Sequence, residues 1–92
     1  MSKIPEYLKE EDGAIVITLA KPITADGTER KSLRMREPTV GDLENSQLVN
    51  GTDTAREIQL FANLMEIAAD DVRGMSLRNY NRVQAAFGRF TD

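Results

Sequence analysis

The stretch from Ala55 to about Ala69 carries more apolar surface than a one-sided surface helix can use. At about 100° per residue, Gln59, Asn63, Glu66 and Asp70 fall on one narrow polar stripe. Ile58, Phe61, Ala62, Met65, Ala68 and Ala69 fill one apolar face, and Leu60, Leu64 and Ile67 fill an adjoining one. The apolar arc is roughly twice the ~100° that a surface helix needs. Such a helix is either buried from two sides or keeps a face for a partner. In a chain of 92 residues that choice bears directly on function.

A chain of this length is one small domain, marginal unless its core is well used. It has no cysteine, so neither a disulfide framework nor thiolate chemistry applies. It has no histidine, which removes the commonest general base and the commonest metal ligand. Met1 to Glu11 is charged and lacks the apolar segment of a signal peptide. No apolar run approaches the ~20 residues of a membrane span. These features predict a soluble protein of the cytoplasm. A formal net charge of −3 argues against a general nucleic-acid binder, whose affinity comes from neutralising phosphates, although twelve Lys and Arg leave room for a local basic patch.

Two Asp-Gly pairs, Asp12-Gly13 and Asp26-Gly27, mark tight hairpin turns because both residues tolerate positive φ. Between them, Ala14 to Ala20 is β-branched and apolar, with Ile15, Ile17 and Leu19 on one face of a strand. Lys21-Pro22 ends this strand or places it on an edge, since Pro22 cannot donate to a ladder. In Arg30 to Arg36, Leu33 and Met35 alternate with Ser32, Arg34 and Arg36, a half-buried strand with a cationic outer face. Tyr7 to Glu10 adds a short charged edge strand through the first turn.

Pro38-Thr39 switches the period from strand to helix. Thr39 with Asp42 reads as a variant capping box, and Val40, Leu43 and Gln47 share one face of a short helix weakened by Gly41. Thr54 with Glu57 reads as the capping box of the apolar helix, which ends near Asp70. Asp71 to Gly74 is a helical turn or connector, and Ser76 caps a last helix from Leu77 to about Phe90. There Tyr80, Val83, Phe87 and Phe90 form one stripe and Arg78, Arg82 and Arg89 another. The expected fold is α+β: an N-terminal antiparallel β-hairpin or three-stranded meander followed by three helices. Residues 1–11 form a flexible N-terminal arm or short edge strand, and residues 12–92 the single α+β domain. The helices must cover Ile15, Ile17, Leu19, Leu33 and Met35, each large side chain being worth ~1.5–3 kcal/mol on burial.

Nothing in the pattern points to catalysis. Glu10-Glu11-Asp12 and Asp70-Asp71 sit at a turn and a helix end, where solvation explains them. The serines have no base partner, and no glycine motif cradles a phosphate. No cofactor or metal is expected. The two arginine-bearing faces raise a small nucleic-acid-binding regulator as a reading, but there is no aromatic interleaving and no helix-turn-helix signature.

Three blocks together are informative: Leu33 to Asp42, with the run Arg36-Glu37-Pro38-Thr39; the apolar Glu57 to Leu64; and Leu77 to Phe87, with its Gln84-Ala85-Ala86-Phe87. Between Ile15 and Phe87 the chain resembles the small tail assembly chaperones of contractile-tailed bacteriophages and prophages. The resemblance implies a non-catalytic protein that binds the helical, aggregation-prone tape measure protein in the host cytoplasm and keeps it soluble. It is displaced as the tail tube polymerises, and is absent from the mature virion. It also implies a longer product made by ribosomal frameshifting as a further partner, this chain being like the short product. A homo-oligomer is expected, with no membrane or nucleic acid as partner. No catalytic residue carries over. The contact surface is expected on Leu60, Leu64 and Ile67 of the apolar helix, with Arg78 and Arg82 of the last helix. A small structural component of the tail or baseplate is the competing reading.

Overall fold

The computed structural model describes residues 4–91. The expectation for the arm falls in part on residues 1–3, which lie outside the described residues. Three strands come first: β1 (Leu8–Glu11), β2 (Ala14–Ala25) and β3 (Thr28–Met35). They form one antiparallel sheet in the order β1-β2-β3. Four helices follow: α1 (Val40–Gln47), α2 (Asp53–Met65), α3 (Ala69–Arg73) and α4 (Leu77–Phe90).

Both Asp-Gly pairs are two-residue hairpin loops, closing Glu11 on Ala14 and Ala25 on Thr28. Asp12 and Gly13 take φ of 51° and 80°, and Asp26 and Gly27 take 54° and 73°. Positive φ at both central positions gives the turn whose twist matches that of the flanking strands. The inner face of the sheet carries Leu8, Ile15, Ile17, Leu19, Leu33 and Met35, all buried. Helices α2 and α4 lie over it. The outer face is open and carries Lys9, Thr18, Ser32 and Arg34, all exposed, around a half-buried Val16.

β2 does not end at Pro22. It continues to Ala25, with a register shift between Thr18 and Ile23. Thr18 pairs with Ser32 and Ile23 with Arg30, so four residues of β2 stand opposite Lys31 alone. The ladder is broken where proline has no N–H to offer. The missing partners come from α4. Asn79 is fully buried, and its Oδ1 accepts from the Ala20 N–H at 2.7 Å and the Lys21 N–H at 3.2 Å. Its Nδ2 donates to the Lys21 carbonyl at 2.8 Å. One side chain thus satisfies three backbone groups of the interrupted strand.

The apolar helix is shorter than its pattern. It is capped two residues earlier, with the Thr52 hydroxyl accepting from the Ala55 N–H at 3.1 Å, rather than at Thr54. It stops at Met65, not near Asp70, because Glu66 adopts the left-handed conformation at φ 57°. The Ile67 N–H then reaches the Ala62 carbonyl at 3.0 Å and the Glu66 N–H reaches that of Asn63 at 3.4 Å. This is a Schellman stop built without glycine, sealed by the burial of Ile67. After it, residues expected to continue the helix or act as a connector form α3, where Asp71 accepts from the Ala68 N–H at 3.3 Å. The described residues therefore hold four helices where the sequence suggested three.

α2 is buried from two sides. Phe61 meets the rings of Tyr80 at 5.7 Å and Phe87 at 5.3 Å, both tilted. Glu57, expected in a cap, instead accepts from the Tyr80 hydroxyl and from Gln84 Nε2 at 3.0 Å, joining α2 to α4. Replacing the buried amide tests the α4–β2 tie. Asn79→Ala leaves three backbone groups to find other partners, and should lower unfolding free energy by about 1–3 kcal/mol in urea titrations.

Candidate interaction surfaces

Leu60, Leu64 and Ile67 are 7%, 1% and 8% exposed and belong to the core shared by sheet and helices. In this fold they offer no surface, because the second apolar face of α2 is covered by the protein itself. Arg82 is also turned inward: Nη1 donates to the Thr18 carbonyl at 2.9 Å, and its guanidinium stands 4.5 Å over the Tyr7 ring. Arg78 alone of the five expected contact residues is exposed, and it has no carboxylate partner among the described residues.

The exposed apolar side chains are elsewhere. Val40 is 85% exposed, Leu43 55% and Leu48 77%. All three belong to α1 and its C-terminal cap. The residue that α1 buries is Ser46, whose hydroxyl is satisfied by the Leu43 carbonyl at 2.7 Å. Helical periodicity correctly groups Val40 with Leu43, but the face they share points to solvent. An amphipathic helix presented this way round is a surface of the kind that protein partners cover.

α1 is held in that attitude by a short list of polar contacts. Arg36 grips Asp42 with two hydrogen bonds of 2.8 and 2.9 Å. The same carboxylate accepts from the Thr39 N–H at 2.8 Å, and the Thr39 hydroxyl accepts from the Asp42 N–H at 3.2 Å, completing the capping box. The Arg36 hydrogen bonds, more than the burial that opposes them, hold the Asp42 carboxyl well below the usual carboxylate range, with Thr39 adding to the effect. The Arg36 N–H meanwhile donates to the Leu64 carbonyl at 3.1 Å, so the latch also fixes the end of α2. At the far end, Arg56 Nε donates to the Val49 carbonyl at 3.1 Å and sets the α1–α2 loop.

A second apolar feature lies where α2, α3 and α4 meet. Ile58, Val72, Met75, Leu77 and Tyr80 line a groove of about 140 Å³, edged by Arg73. Leu77 at its rim is 79% exposed. A larger recess, about 410 Å³, sits between the first turn and the end of α4, and its lining includes Glu10, Glu11, Asp12, Glu37 and Arg89. Among the described residues no three acidic side chains are grouped as a metal would require, and no helix is long and apolar enough to cross a membrane.

A protein-family comparison completes the picture. Residues 16–92 match the family described as phage tail assembly chaperone proteins, E, or 41 or 14. The chain belongs to the phage tail assembly chaperone family. Comparison with curated proteins and with solved structures finds no match.

Two outcomes check these placements. Leu64→Asp puts an uncompensated charge in the core and should abolish cooperative thermal unfolding followed by circular dichroism. For the latch, the folded Asp42 carboxyl titrates below its unfolded value, so its contribution is complete above about pH 4 and is lost as pH falls further. Amide exchange in α1 should rise on acidification below that point before exchange in α4 does.

Proposed function

We propose that the chain binds the tape measure protein during tail assembly, keeps it soluble, and does so without catalysis. Membership of the tail assembly chaperone family over residues 16–92 carries this reading. The arrangement of the surface supports it. A protein that shelters helical, aggregation-prone segments needs apolar side chains on its outside, and this fold presents Val40, Leu43, Leu48 and Leu77 there. Shallow contacts of that kind suit a partner that is later displaced, whereas deep, fully desolvated anchors suit a permanent one. In this reading the protein works in the host cytoplasm and leaves before the virion is complete. Of the contact residues expected from sequence, Arg78 remains on the surface to take part.

The test is co-expression with the tape measure protein of the same phage, comparing its soluble fraction and co-purification with and without this chain. The expected outcome is a soluble partner that travels with the chaperone. A partner that precipitates equally in both cases defeats the reading.

A further inference from the structure

The two exposed apolar features differ in charge. From Glu37 to Ala55 the chain has four carboxylates, Glu37, Asp42, Glu44 and Asp53, and no base. That segment contains all of α1 and Leu48. From Arg73 to Thr91 it has four bases, Arg73, Arg78, Arg82 and Arg89, and no acid. That segment contributes Met75, Leu77 and Tyr80 to the groove. Glu37 and Glu44 beside α1, and Arg78 beside Leu77, have no ion-pair partner among the described residues.

The two features also meet different sides of α2. Arg56 holds the α1–α2 loop and Ile58 lines the groove. At 100° per residue they stand about 160° apart around α2. The chain therefore presents an acidic-flanked apolar knob on one side and a basic-flanked apolar groove on the other.

We propose that these two surfaces are complementary halves of one contact, in which α1 of one copy seats Leu48 in the Ile58–Met75–Leu77 groove of the next. Glu44 and Glu37 then face Arg78 across the rim, Arg73 being already paired with Asp70 at 3.0 Å. A knob on one side and a groove on the other make a head-to-tail contact, which propagates into a ring or an open row and does not stop at a symmetric pair. A symmetric pairing of α1 with α1 would instead set Glu44 against Glu44. The contact needs only this chain, so it stands or falls apart from the tape measure reading.

Sedimentation velocity on the purified full chain tests it. The wild type should gain mass beyond a dimer as concentration rises, and lose it at high salt, where exposed charge pairs are screened. Leu48→Asp and Leu77→Asp alter exposed side chains, so each should keep the wild-type circular dichroism and melt, yet each alone should sediment as a monomer. Each variant retains one intact surface, so an equal mixture should form a one-to-one dimer and nothing larger. A wild type that stays monomeric toward about 1 mM, the weak end of specific association, overturns the proposal and leaves α1 to a partner of another kind. So does a mixture in which the two variants remain monomers.

Discussion

The side chain of Asn79 holds the two halves of this protein together. β2 breaks its own ladder at Lys21-Pro22, and a break of that kind in the middle of a hairpin would leave backbone groups without partners. The amide of Asn79 is a donor and an acceptor at once, and it fits the broken segment because α4 begins just there, capped by Ser76. Arg82, one turn further along, adds a bond to Thr18 on the same segment. The sheet's irregularity and the position of the last helix are therefore one feature. Once α4 is fixed, its Val83 and Ala86 are buried and its Tyr80 and Phe87 meet Phe61, so α2 is enclosed between sheet and helix.

That enclosure explains which parts were legible in the sequence. The hairpins were legible because Asp-Gly supplies the positive φ that few other pairs tolerate. The inward set on the sheet was legible because alternation has only two phases, and Ile15, Ile17, Leu19, Leu33 and Met35 could share only one. The helix stop at Glu66 was not, because a left-handed residue other than glycine leaves no local signal; the motif is fixed by where Ile67 must go. Asn79 was missed for a similar reason. A lone polar residue beside an apolar stripe reads as surface, and only its distant partner at the proline break makes it core.

The exposed apolar surface was half legible. Periodicity identified the wide apolar arc of α2, and the alternative in which it is buried from two sides is the one the fold takes. It also grouped Val40 with Leu43, but it reports only which residues share a face and carries no information about which way that face turns. The direction is set by Arg36 and Asp42, six residues apart, which rotate α1 so that Ser46 is inside. Arg82 was expected at the contact surface with Arg78, yet its guanidinium had a backbone carbonyl and an aromatic ring to meet.

The open sheet has a consequence for how copies can come together. Both of its outer strands, β1 and β3, are edges, and an edge strand is a template for adding another. Here β1 is four residues long and carries Lys9, Glu10 and Glu11, while β3 carries Arg30, Lys31 and Arg34. Beyond β3, the Arg36 N–H is already taken by the end of α2. A strand approaching either side meets charge, a short run or an occupied amide. Growth by strand addition, the route by which exposed sheets become fibrils, is thereby discouraged, and association is left to the helices.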